Sequence, residues 1–144
     1  ALAREGDAWR IRGDGHLRTV RAATTLGTPD PSASSGVAGY AGGSEGNYVH
    51  LAGNDVVLRF SPQPSATPYL HDSNARLDAL SRRDSNLHFS LRGYLPIEFR
   101  LNATAGCRVL ANGKPLTPQR GDGKSQLFVL KDAAATIETR CHDR

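Results

Sequence analysis

The sequence predicts an all-β fold, and within that class a two-sheet antiparallel β-sandwich of about eight to ten strands. Three observations carry the prediction. Apolar and polar residues alternate in short runs along most of the chain, the period of a strand with one buried face. Turn-forming residues separate those runs, and 15 glycines and 8 prolines supply many such breaks. The chain has 144 residues, 38% of them hydrophobic, enough for a single domain whose core needs no metal or disulfide staple.

The elements follow in order. Ala8–Arg12 sets Trp9 and Ile11 on one face and Arg10 and Arg12 on the other. Gly13-Asp14-Gly15 reads as a turn before a second strand at Leu17–Arg21, and Thr28–Gly36, rich in Pro and Ser, reads as a loop. Gly42–Gly46 is expected as a flexible loop between strands at Val37–Tyr40 and Tyr48–Ala52. Gly53-Asn54 resembles a two-residue hairpin loop joining Tyr48–Ala52 to Asp55–Phe60. That register would pair Leu51 with Val56 and Val49 with Leu58, and would turn Tyr48 and His50 to the opposite face.

The stretch Thr67–Arg83 is ambiguous. Ser73 could cap a short helical turn carrying Leu77 and Leu80, the favoured reading, while Arg76–Leu80 could equally be an edge strand. Alternation returns at Leu87, Phe89 and Leu91 and again at Leu95, Ile97, Phe99 and Leu101. Parity then demands either a three-residue loop, Arg92-Gly93-Tyr94, or a crossing to the other sheet. Further on, Asn112-Gly113 is a strong hairpin signal between Cys107–Ala111 and Lys114–Pro118, with Val109 facing Leu116. Strands at Leu127–Lys131 and Thr136–Cys141 complete the set.

Several function classes are disfavoured by the same residues. The net charge of +4 comes mostly from scattered arginines, and Arg82-Arg83 is the lone adjacent basic pair, so a nucleic-acid-binding stripe is not expected. No apolar run approaches the length of a bilayer-crossing helix, and no membrane partner is expected. The five histidines, at 16, 50, 71, 88 and 142, form no H-x-x-x-H or H-E-x-x-H pair, so neither a metal nor another cofactor is expected. No methionine occurs, and Ala1–Gly6 lacks the features of a signal peptide. The expectation is a piece of a longer polypeptide, or a mature form without its leader.

Gly42-Gly43-Ser44-Glu45-Gly46 matches G-x-S-x-G, the pattern of a hydrolase nucleophile elbow. That elbow needs a strand before the serine and a helix straight after it. The residues from Asn47 onward have period two, so Ser44 reads as part of a turn and no catalytic residue is assigned. The glycine-rich stretch opens no helix either, and so lacks the amide cradle of a phosphate loop.

Aromatic residues are few. Phe60, Phe89, Phe99 and Phe128 lie inside strands and are expected in the core, whereas Tyr40, Tyr48, Tyr69, Tyr94 and Trp9 lie at strand ends or near loops. Flat amphipathic rings at such positions suit a sugar-binding face, and these five are the candidate carbohydrate-binding residues. Core packing is the competing role, most of all for Trp9, which shares a face with Ile11. Cys107 and Cys141 stand 34 positions apart and share faces with Val109 and Ile137. Both thiols point with core residues, so a bridge is feasible in an oxidising compartment, and two buried thiols are the alternative in a reducing one.

Taken together, Gly36-Val-Ala-Gly-Tyr40, Tyr48-Val-His-Leu51, Leu91-Arg-Gly-Tyr-Leu-Pro-Ile-Glu-Phe-Arg-Leu101, Ala105-Gly-Cys-Arg-Val109, Asn112-Gly-Lys-Pro-Leu116 and the terminal Cys141 resemble the C-terminal region of the Pel polysaccharide-modifying proteins. These are bifunctional bacterial periplasmic proteins with a glycoside hydrolase and a polysaccharide deacetylase domain ahead of a tail domain. The resemblance spans roughly residues 8 to 141 and consists of turn-and-strand patterns. It implies a jelly-roll-like sandwich, a biofilm-related parent acting on an amino-sugar polymer, and the parent's own catalytic domains as partners. It carries no catalytic residue onto this chain. A periplasmic or secreted location, which it also implies, strengthens the case for a Cys107–Cys141 disulfide.

Overall fold

The computed structural model describes residues 2–13, 19–121 and 124–141. Among them, antiparallel sheets make up the whole framework, with one 3-10 turn at Thr24–Leu26. The fold is an all-β sandwich built as two halves, each with its own core.

The N-terminal half sets two three-stranded sheets face to face. One has the order β1 (Leu2–Glu5), β2 (Ala8–Arg12), β7 (Asp55–Leu58) and the other β3 (Thr19–Ala22), β6 (Gly46–Leu51), β5 (Val37–Gly43). Ile11, Val56 and Leu58 from the first sheet meet Ala22, Val37, Tyr40, Val49 and Leu51 from the second in a small core. A two-strand ribbon of β4 (Thr28–Pro29) and β8 (Phe60–Ser61) lies beside them.

The C-terminal half is larger. A sheet of β10 (Arg76–Arg83), β11 (Asn86–Arg92), β17 (Ala134–Cys141), β13 (Cys107–Ala111) and β14 (Lys114–Pro115) covers a sheet of β15 (Arg120–Gly121), β16 (Ser125–Leu130), β12 (Ile97–Asn102) and β9 (Tyr69–Ser73). Phe99 stacks on Phe128 at 5.2 Å within one sheet and meets Phe89 of the other edge-on at 6.2 Å. These rings and their leucine neighbours form the main core. The tally of strands runs above eight to ten because several are short, four of them only two residues long.

The halves join where β5 passes β9. A methyl group on Gly39 would overlap the Leu70 backbone, so the two strands approach as closely as they do only because residue 39 is glycine. Arg82 ties the seam from the other sheet, donating to the carbonyl oxygens of Pro68 at 2.9 Å and Ala38 at 3.4 Å. Burial brings the Arg82 guanidinium down to about 10, partly offset by the negative charge of Asp30.

Several expectations hold. Asn112-Gly113 turns the β13–β14 hairpin, and Leu116 N donates to Val109 O at 2.8 Å. Cys107 lies directly opposite Cys141 on β13 and β17, and the two form a disulfide. Phe89, Phe99 and Phe128 are fully buried, whereas Phe60 is only half-buried.

Others are corrected. Gly53-Asn54 does not close a hairpin: β6 pairs with β3 and β5, and β7 pairs with β2, so Val56 lies beside Ile11. Leu51 and Val56 still point into one core, but from opposite sheets. Gly42–Gly46 is not a loop between shorter strands. It is the tip of the β5–β6 hairpin, where Gly43 pairs with Gly46 and Ser44-Glu45 make the turn. Of the two arrangements that parity allowed after Leu91, the structure takes the crossing between sheets and not the three-residue hairpin loop, since β11 pairs with β10 and β17 while β12 pairs with β16 and β9. The helical turn favoured between Thr67 and Arg83 is absent, and β10 is an edge strand with a bulge between Asp78 and Ser81. Asp14, Gly15 and Leu17 of the first expected turn and strand lie outside the described residues, as do His16 and His142.

Candidate functional site

The five aromatic candidates do not share one face. Tyr94 is 97% exposed on the crossing segment, and Tyr48 is exposed on the outer face of β6. Trp9 is half-buried against the smaller core, with the Arg4 guanidinium 5.9 Å from its ring centroid. It borders an apolar cleft of about 230 Å³ with Leu2, Val20, Leu26 and Phe60.

Tyr40 and Tyr69 do come together. Their rings stack at 4.7 Å with planes 7° apart, across the seam between β5 and β9. The chain places them there by strand parity. Leu70 and Leu101, opposite one another on β9 and β12, point into the main core. The next residue on each strand therefore points the other way, so Tyr69 and Asn102 face the smaller half. Burial is the main reason the Tyr40 phenol holds its proton well above the ordinary tyrosine range. A hydrogen bond to Tyr69 and the nearby charges of Tyr69 and Asp30 add to the effect.

Beside this pair lies a cavity of about 600 Å³, lined by Tyr40, Tyr69, Ser65, Asn102, Thr104, Gln126 and neighbouring residues. Its size is in the usual range for small-ligand sites, roughly 300–1,000 Å³. A polar row crosses three strands at its wall. Ser125 Oγ of β16 donates to Asn102 Oδ1 of β12, and Asn102 Nδ2 donates to the Tyr69 hydroxyl of β9 at 3.1 Å. Alongside, Thr104 Oγ1 donates to Gln126 Oε1 at 2.6 Å. The site thus combines two fixed aromatic rings with amides, hydroxyls and the side chain of Lys124, a set suited to hydrogen-bonding a polar ligand that brings acceptors.

Two further groupings were weighed in the sequence. His50 Nε2 donates to the His71 carbonyl oxygen at 2.6 Å, and burial holds the His50 pKa below its usual value. His71 Nδ1 lies 3.3 Å from Asp72 Oδ2. These neighbours meet, rather than splitting to opposite faces, because the β9–β12 register slips by one residue at His71. Among the described residues no group of three or more His, Cys, Asp or Glu side chains is arranged to hold a metal ion. Ser44 sits in a strand–turn–strand arrangement, without the helix that an elbow requires.

Sequence reasoning found Tyr40 and Tyr69 but missed Asn102, Thr104 and Gln126. Each is an isolated polar residue beside a strong apolar run, and only the register between distant strands brings them together. Comparison with family models, with curated proteins and with solved structures returns no match for the chain.

Proposed function

We propose that this chain is a non-catalytic accessory β-sandwich module of a periplasmic or secreted carbohydrate-active enzyme, and that it binds amino-sugar exopolysaccharide in the Tyr40–Tyr69 cavity. The observation that carries the reading is that cavity: aromatic rings fixed by stacking beside an uncharged network of Asn, Gln, Thr and Ser. The resemblance to the tail region of the Pel polysaccharide-modifying proteins supports the substrate class, and the Cys107–Cys141 disulfide suits an oxidising compartment. Among the described residues no helix is long and apolar enough to cross a membrane. Since the chain carries a net charge of +4, acetylated, uncharged stretches of polymer are the favoured ligand, and deacetylated, cationic stretches are repelled.

The test is a titration of the chain with amino-sugar oligomers, followed residue by residue in NMR spectra. Shifts confined to Tyr40, Tyr69, Asn102, Thr104 and Gln126 are expected. Tighter binding of deacetylated oligomers would contradict the reading.

A second reading has its own support. Tyr94 and Leu95 are exposed at 97% and 54%, an apolar tip suited to docking on a catalytic domain or an export partner. On that reading the module is structural and takes no sugar. Deleting it would then cost the parent enzyme its folding or activity, while the isolated chain would bind no oligosaccharide.

A further inference from the structure

Hydrogen-bond accounting within the cavity goes further and names the ligand group that it selects, an inference that rests on the saccharide reading above. The orientation of a side-chain amide follows from its partners. Asn102 Oδ1 accepts from Ser125, and Gln126 Oε1 accepts from Thr104 Oγ1 at 2.6 Å. Each amide oxygen is therefore held by a hydroxyl within the wall, which fixes the position of each NH2 group. Asn102 Nδ2 uses one hydrogen on the Tyr69 hydroxyl and keeps a second. Gln126 Nε2 donates to no described side chain or backbone group. Lys124 brings an ammonium group to the same lining, and no carboxylate is among the described lining residues.

The cavity is thus rich in donors, and no carboxylate among its described lining residues is there to pair with a cation. A ligand suited to it brings a carbonyl-type oxygen and no ammonium group. Pro64, Ala103 and Ala105 add an apolar wall, which accommodates a methyl group. We propose that the cavity is a subsite for the acetamido group of an N-acetylhexosamine unit. Its carbonyl oxygen accepts from Gln126 Nε2, and its methyl rests against the apolar wall. Gln126 is then a specificity-determining residue. A free-amine sugar would set donor against donor, leaving the amide unpaired on binding.

Four oligosaccharides of matched length test this by calorimetric titration: the N-acetylhexosamine oligomer, its deacetylated form, a neutral hexose oligomer and a uronate oligomer, which also offers a planar acceptor. The acetylated oligomer is expected to bind about tenfold or more tightly than each of the others, the worth of one well-made hydrogen bond. Gln126→Glu keeps an acceptor for Thr104 but removes both donors. This variant should lose the preference for the acetylated oligomer without a change in Tm. Hexose binding equal to that of the acetylated oligomer overturns this inference and leaves the saccharide reading standing. Tighter uronate binding, or selectivity that survives Gln126→Glu, does the same. Failure of all four to bind removes both.

Discussion

The two halves of the molecule solve one problem with different means. The C-terminal half closes sheets of five and four strands over three buried phenylalanines, and a disulfide ties two of its central strands together. The N-terminal half has two sheets of three strands, a core of aliphatic side chains and tyrosine, and no buried phenylalanine. The smaller half also leans on the larger. Tyr69 of β9 completes its core, while Ala38 and Ala52 of the smaller half pack into the main core. The candidate cavity sits at this junction, where a scaffold of the larger half meets a single strand, β5, of the smaller. Sites placed on rigid elements keep their geometry better than sites on loops, and here strands of the larger half supply Tyr69, Asn102 and Gln126.

The sharpest way to break the contrast is at the seam. Gly39→Val drives a branched side chain into the Leu70 backbone, and a loss of about 4 kcal/mol or more in stability is expected. The variant should become sensitive to proteolysis within residues 2–61 before residues 69–141. Gly42→Ala is the control, since a methyl there meets only the Asn47 side chain at an ordinary 3.5 Å. Cleavage of both halves at equal rates in Gly39→Val would count against a dependent N-terminal half.

The disulfide asks the opposite question of the larger half. Removing it by Cys107→Ser with Cys141→Ser reopens a loop of 34 residues, which by the chain-entropy account costs roughly 3–4 kcal/mol. Chemical denaturation should show this loss in full. A loss below about 1 kcal/mol would mean that the phenylalanine core holds these strands unaided.

The smallest expected effect is a pH dependence at the seam. His50 has a folded-state pKa below its unfolded value because burial disfavours the imidazolium, an effect that the hydrogen bond to the His71 backbone and the nearby Asp72 oppose. The unfolded chain therefore binds the proton more readily. Stability from this group is complete above the unfolded pKa near 6.5 and declines as the pH falls towards the folded pKa. Denaturation midpoints between pH 7 and 5 should fall less steeply in His50→Gln, which retains a donor for the His71 carbonyl. Equal slopes would assign the acid sensitivity elsewhere.

How much of this was legible follows from what each signal reports. The Asn112-Gly113 hairpin and its Val109–Leu116 contact were readable because turn chemistry and register are local. The inward phase of Cys107 and Cys141 was readable from parity, since both alternate with core residues, whereas their bridge was readable only as one of two outcomes. Pairing partners were not. Leu51 and Val56 carry the same inward phase whether they are neighbours in a sheet or face one another across a core, so alternation alone cannot separate the two arrangements. β10 misled for a more specific reason. Its bulge inserts one residue between Asp78 and Ser81, so Leu77 and Leu80 both reach the main core although three positions apart. A strand with one inserted residue thereby imitates helical spacing. The cavity was half-legible, because its aromatic members stand out in a chain poor in such residues and its amides do not.

That same bulge has a bearing on colloidal behaviour. An outermost strand of eight residues would ordinarily be a template on which other molecules could add in a growing ribbon. Here Ala79 adopts a φ of 48° in mid-strand, and Arg76, Asp78 and Arg83 stud the open border. The irregular backbone breaks the continuous row of amides that a fibril needs, and the charges repel or misalign an incoming copy. The distortion that disguised this strand in the sequence is therefore also a guard against edge-to-edge aggregation.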